Sequence, residues 1–201
     1  MRITATLALV LVFVLAVFCA VAQEKSTKPA VGTDTLTDEQ LAVYRAVLRH
    51  YMKGSRGKLN LSSETYPMKL DKDCAKGIKP EQTENEVVHT FTAAAAPNVI
   101  LVDPKQQKTK IEQNDPQNLM KKAIDEGAKI SERQIDESVE LAFSTGLFSL
   151  SEIIFDKGHH HAIVSYSFHC GMLCGHGDDL VLIRTGSTWK VKGSCGPIWV
   201  S

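Results

Sequence analysis

The chain has 201 residues, 43% of them hydrophobic, with 23 lysines and arginines against 23 aspartates and glutamates and a formal net charge of zero. This neutral balance, with no dense basic block, argues against nucleic acid as a partner, because that affinity rests on many phosphate contacts. The length suits one domain with its own core and is short for two.

At the N terminus Arg2 precedes an apolar run over residues 7–22, and Ala20 with Ala22 forms an A-x-A cleavage pattern. This predicts a signal peptide over residues 1–22 and a secreted or periplasmic protein. The competing expectation is an uncleaved anchor, since the run approaches the roughly 20 residues that span a bilayer. Cys19 is a poor lipidation site, with the bulky Phe18 before it. No later run is long enough to cross a membrane, so no membrane contact beyond the export signal is expected. Residues 23–35 are polar, contain Pro29 and Gly32 and lack periodicity. They read as a flexible linker, which places a single domain at 36–201.

Thr37 and Gln40 make a T-x-x-Q capping box, and Leu41, Tyr44, Leu48 and Tyr51 then fall at helical spacing to about Met52, where Gly54 and Gly57 end the helix. The tyrosines on this stripe are expected in the core. Residues 58–80 are irregular, with a short strand at 59–61 and Cys74 in a loop. A second helix is expected over 81–96, because Val87, Val88, Phe91 and Ala95 cluster on one side and Pro97 lies beyond its end. NVILV, residues 98–102, reads as a short buried strand, and the lysines of KQQKTK, residues 105–110, as a solvated loop. Asp115 followed by Pro116 is an N-cap with proline at the first helical position, so a helix should run over 116–126 to Gly127. Another follows Ser131, where Ile135, Val139 and Leu141 keep a rough helical repeat.

From Leu150 onward β-branched and aromatic runs alternate with turns: SEIIFD, then Lys157-Gly158, HAIVSYSF, a Cys-Gly-rich connector, DLVLIR, TGST, WKVK, Gly-Pro and IWVS. This is the pattern of an antiparallel meander, with Gly186-Ser187 as a tight hairpin turn. The expected class is therefore α+β, with N-terminal helices packed on a C-terminal antiparallel meander sheet. A cystatin-like or NTF2-like roll satisfies this order, and such an analogy carries no function.

The chemistry-bearing candidates concentrate in FHCGMLCGHG, residues 168–177. His169, Cys170, Cys174 and His176 are ligand types suited to Zn²⁺ or copper. Strand parity opposes a shared ion. Cys170 continues the alternate set Ala162, Val164, Tyr166 and Phe168, whereas His169 belongs with Ser165 and Ser167 on the other face. The C-x3-C spacing also departs from structural zinc sites and from the C-x-x-C of redox helices. A cysteine nucleophile based by His169 or His176 needs an unpaired thiol, and the four cysteines left after the signal, Cys74, Cys170, Cys174 and Cys195, are an even set in an exported chain. Two disulfides are the default. Cys170–Cys174 would close a short loop, eased by Gly171 and Gly175, and Cys74–Cys195 a long one. Cross pairings such as Cys74 with Cys170 stay open.

His159, His160 and His161 form a triple at a predicted turn. It reads as solvated, with His160 on the inward parity of Ala162 and with His159 and His161 as weak metal candidates beside His169 and His176. Asp178 and Asp179 read as charges opening an edge strand, not as an acid–base or Ca²⁺ pair. Trp189 shares parity with Val191 and is expected in the core; Trp199 is left unassigned. No nucleophile elbow, phosphate loop, zinc-protease or dinucleotide motif occurs, so no catalytic residue and no cofactor is expected.

The residues FDKGHHHAIVSYSFHCGMLCGHGDDLVLIRTGSTWKVKG resemble the C-terminal part of a group of exported bacterial proteins of unknown function. That group shares an F-[ND] turn, an A-x-V strand, a C-G-x-L-C-G connector and a final W-x-V strand. The resemblance covers 150–201 and brings no activity. It implies that Cys170 and Cys174 are the recurring pair and bond each other, with the histidine triple, Cys74 and Cys195 as departures. The expected function is a non-enzymatic, disulfide-stapled binding or structural module of the cell envelope, with an unknown protein or small ligand as partner. The alternative is a Zn or Cu protein using the His/Cys-rich edge, and the third reading is an envelope hydrolase.

Overall fold

The computed structural model describes residues 35–54, 57–93 and 98–201. The expected signal peptide and nearly all of the linker lie outside the described residues. Helix α1 (Asp38–Tyr51) opens on the expected capping box: Gln40 N donates to Thr37 Oγ1 at 3.2 Å and Thr37 N to Gln40 Oε1 at 2.8 Å. Asp38 and Glu39 in its first turn and Arg49 and His50 in its last complement the helix dipole. Its inward stripe, Val43, Tyr44, Val47 and Leu48, is buried, and each such apolar side chain contributes about 1.5–3 kcal/mol relative to exposure.

The strands are β1 (Leu59–Ser62), β2 (Met68–Lys69), β3 (Glu84–Asn85), β4 (Val99–Val102), β5 (Leu147–Leu150), β6 (Ile154–Phe155), β7 (His161–Gly171), β8 (Cys174–Thr185) and β9 (Thr188–Val200). The main sheet has the order β4-β1-β5-β7-β8-β9, with β6 also on β7, while β2 and β3 pair separately. The antiparallel meander holds for β7, β8 and β9. The sheet is nevertheless mixed, because β1 runs parallel to both β4 and β5. Parallel neighbours need long crossovers. Here α2 (Lys72–Gly77) with β2 and β3 separates β1 from β4, and α3 (Pro104–Gln113), α4 (Pro116–Glu126) and α5 (Glu132–Thr145) separate β4 from β5.

Both faces of the sheet are covered. On one, α1 packs on Phe148, Ala162, Val164, Phe168, Leu180, Leu182 and Trp189. On the other, Met68, Leu70, Cys74 and Ile78 close over Ile154 and Ile163.

Several expectations need correction. Over residues 81–93 the expected helix does not form. Glu84–Asn85 is a strand, and the β-branched stretch after it is held extended, with Thr65 N donating to His89 O at 2.9 Å and Phe91 N to Ser63 O at 2.8 Å. Residues 94–97 lie outside the described residues. KQQKTK is helical, in α3, where Asp103 caps Gln106 N and Pro104 takes the first turn. Cys74 sits in α2, capped by Asp71. β4 is an edge strand with Ile100 exposed. SEIIFD is broken: β5 and β6 lie along the same side of β7, separated at residues 151–153. WKVK and IWVS belong to one strand, β9, which bulges at Gly196 (φ 73°) and Pro197. Proline is tolerated there because β9 is an edge and its missing N–H breaks no interior ladder.

Candidate functional site

The connector that drew attention in the sequence is the tip of the β7–β8 hairpin, with Gly171 paired to Cys174 and Met172-Leu173 as its two-residue end. Cys170 and Cys174 are bonded to each other, as are Cys74 and Cys195, each pair with Cα atoms 5.1 Å apart. Cys170 is 1% exposed, on the α1 face that its parity assigned, and His169 is exposed on the other face. The tip is tied to α4 by one carboxylate. Asp115 Oδ1 accepts Gln117 N at 2.9 Å as the helix cap, and Oδ2 accepts Met172 N at 2.7 Å. A side chain at Gly171 would press against that carboxylate, 3.1 Å from Oδ2.

Gly175 is also constrained from outside the disulfide loop. Trp199 lies along the strand over Gly175 and Gly177, and a Cβ at Gly175 would stand 3.2 Å from Trp199 Cζ3. His176, between those glycines, projects to the opposite face. Its ring stacks on Tyr51 at 5.9 Å and meets Tyr166 at 5.8 Å and Phe168 at 5.6 Å. Burial, and then the neighbouring Tyr166, push the Tyr51 phenol up to about 12. His169 and His176 are thus on opposite faces of the sheet and do not converge.

Two histidines of the triple, His159 and His161, are part-exposed and engaged by carboxylates, while His160 is solvated as expected. His159, at φ 51°, places Nδ1 2.9 Å from Glu39 Oε2 and stacks its ring on Phe155 at 4.4 Å. Arg184 Nη1 donates to the other Glu39 oxygen at 2.9 Å. His161 Nδ1 lies 2.9 Å from Asp156 Oδ2, while Asp156 Oδ1 accepts the N–H of His160 at 2.7 Å and of His161 at 3.1 Å. Burial pushes the Asp156 carboxyl up, but the His161 ring and these two N–H groups outweigh it and hold the group below its ordinary range. His160 is exposed rather than inward, because β7 begins only at His161 and strand alternation does not reach back into the turn. Among the described residues no group of three or more His, Cys, Asp or Glu side chains is arranged to hold a metal ion.

Asp178 and Asp179 lie on β8, an interior strand, not an edge. Asp178 is 8% exposed; Ser194 Oγ donates to its Oδ2, and Oδ1 has no partner among the described residues. Asp179 accepts the Ser165 hydroxyl on the opposite face, beside the Cys74–Cys195 bridge. Burial raises the Asp179 carboxyl, the Ser165 hydroxyl opposes, and Asp178 and Asp71 raise it further. With their side chains on opposite faces, the two do not form a working acid–base pair.

Sequence reasoning missed the most buried polar cluster. At the β5–β6 break Glu152 is 0% exposed and its carboxylate is fully engaged. Thr65 Oγ1 donates to Oε1, His89 N donates to Oε1 at 3.1 Å, and His89 Nδ1 lies 2.9 Å from both oxygens. Tyr44 OH donates to Ser151 O at 3.0 Å, and burial, then Glu152, raise that phenol well above its ordinary value. Among the described residues no serine, threonine or cysteine side chain is bonded to the His89 ring, so the pair anchors the extended 86–91 segment to the strand break. The available signal was a lone glutamate inside the apolar run SEIIF.

The remaining feature is a surface. A groove of about 310 Å³ opens between α4, α5 and the Cys170–Cys174 tip, lined by Met120, Val139, Ala142, Phe143, Leu173 and Cys174. Ala142 is its buried floor, and Phe143 leans on Phe168 with ring centroids 6.2 Å apart. No protein-family model, no curated protein and no solved structure matches the chain.

Proposed function

We propose that the chain is an exported, disulfide-stapled binding module without enzymatic activity, whose recognition surface is the groove between α4, α5 and the Cys170–Cys174 tip. The observation that carries this reading is the concentration of exposed large apolar side chains around one concavity: Met120 at 54%, Phe143 at 58%, Met172 at 69% and Leu173 at 73%. Single exposed apolar residues are ordinary, whereas a cluster around a groove marks a contact surface. The Glu152–His89 and Asp156–His161 clusters support it from the other side, since their bonds are spent within the fold. The apolar N-terminal run with its A-x-A pattern and the two disulfides support the secreted or periplasmic location.

Two measurements test the reading. Intact mass of the native protein should show cleavage after Ala22 and four blocked thiols; stoichiometric zinc or copper with free thiols would overturn it. The dye ANS should bind the folded protein and lose most of its fluorescence with Met120→Ser/Phe143→Ser/Leu173→Ser, whose sites are exposed enough for the fold to survive. Undiminished dye binding in a folded triple variant would exclude the groove.

A further inference from the structure

Resting on that reading, we propose that the groove takes an amphipathic polypeptide segment that carries cationic residues beside its apolar row. Helices α4 and α5 follow each other across residues 127–131 and pack together as a helical hairpin. On α4, Met120 and Ile124 are four apart; on α5, Ile135, Val139 and Phe143 continue the same spacing, and all five are exposed. Residues four apart stack along one helix face, so the hairpin presents two apolar rows, and the groove lined by Met120, Val139 and Phe143 opens at one end of them. This is the receiving surface of a helix-in-groove complex, read by anchors four residues apart. With a rise of ~1.5 Å per residue, the row from Ile135 to Phe143 spans about 12 Å, enough for roughly two turns of a partner helix.

Charge selects the occupant. Next to the apolar row of α5 runs a second exposed row, Glu132, Asp136 and Glu140, again four apart. The basic residue of that helix, Arg133, is directed to Glu137 at 3.7 Å and does not neutralise it. On α4 the equivalent flank carries Lys121 and Asp125, which cancel, with Lys122 and Glu126 beyond them. Asp115 adds a carboxylate at the groove's end. One wall is therefore acidic and the other balanced, which favours a cationic flank on the partner and disfavours an anionic lipid surface.

The test uses the full oxidised protein and two labelled 18-residue peptides with leucines at helical three- and four-residue spacing. One carries lysines along its flank and the other glutamates; anisotropy is read at low and high salt. The lysine peptide should bind at least about tenfold more tightly at low salt, with the advantage shrinking as salt screens the pairs. Asp136→Lys/Glu140→Lys should reverse the preference, while Phe143→Ser weakens both peptides. Equal or tighter binding of the glutamate peptide, or stronger binding to anionic vesicles than to the lysine peptide, would overturn the cationic occupant and leave the groove reading standing. A dimer in sedimentation that dissociates with Phe143→Ser would assign the surface to a second copy and overturn the proposal. If neither peptide binds and ANS fluorescence is also absent, the groove reading itself fails.

Discussion

The two disulfides close loops of very different length, and their removal should separate accordingly. Cys74 and Cys195 are 121 residues apart in sequence, Cys170 and Cys174 only four. In the chain-entropy model the long bridge removes about 5 kcal/mol of unfolded-state entropy and the short one about 2 kcal/mol. Against a total stability of ~5–15 kcal/mol for a domain, the first loss leaves a marginal fold and the second does not. Burial does not separate the two, because Cys74 packs with Met68, Leu70 and Ile78 while Cys170 is equally buried in the main core. The assay is urea unfolding followed by far-UV circular dichroism on Cys74→Ala/Cys195→Ala and on Cys170→Ala/Cys174→Ala. The first variant should lose roughly 3 kcal/mol more than the second and show the larger rise in denaturant dependence, since its unfolded chain is freed over a longer span. If the Cys170/Cys174 variant loses as much or more, the entropic reasoning is refuted and the hairpin tip is the stronger staple.

Three further outcomes follow from particular contacts. Gly177→Ala should cost about 1–3 kcal/mol by overpacking, since its Cβ would press on the Trp199 indole and sit 2.6 Å from Tyr166 O. Gly193→Ala, with nothing within 4 Å of the added carbon, should be nearly silent, and equal melting temperatures for the two would contradict the packing of Trp199. Glu152→Ala should cost about 3–5 kcal/mol, as expected for breaking a buried pair. His89→Ala should be similarly costly, and chemical denaturation of the double variant should show a loss well below the sum of the singles. Asp156 has a folded-state pKa below its ordinary 3.8, so its contribution is present above that value and lost as pH falls through the depressed one. The stability gap between wild type and Asp156→Asn should therefore be full near neutrality and close below pH ~4; a gap that widens on acidification would reverse the sign.

Local signals were legible where a residue acts on its own neighbourhood. Thr37 with Gln40, Asp115 with Pro116 and Ser131 all cap helices as their sequence contexts imply. Asp103-Pro104 carries the same signal as Asp115-Pro116 and opens α3, which the lysine-rich composition of 105–110 obscured. Alternation placed Cys170 and His169 on opposite faces because β7 is regular there, and failed at His160 because the strand has not begun. The spacing of Val87 and Phe91 imitates a helix, but tertiary ladder bonds to Thr65 and Ser63 override it. The Glu152–His89 pair joins residues 63 apart, and no local pattern announces such a meeting. The groove was hidden for another reason: Val139 and Ile135 mark an amphipathic helix whether their row faces a core or the solvent.

The cysteine order has a consequence for how the chain is oxidised. In chain order the four bonded cysteines run Cys74, then Cys170 and Cys174 almost together, and Cys195, the partner of Cys74, last. Because Cys170 and Cys174 sit four apart on a hairpin tip held by Asp115, each has far less chain to close with the other than with Cys74, which favours their pairing over the cross pairings. The short bridge, the weaker of the two for stability, thereby leaves Cys74 and Cys195 to each other.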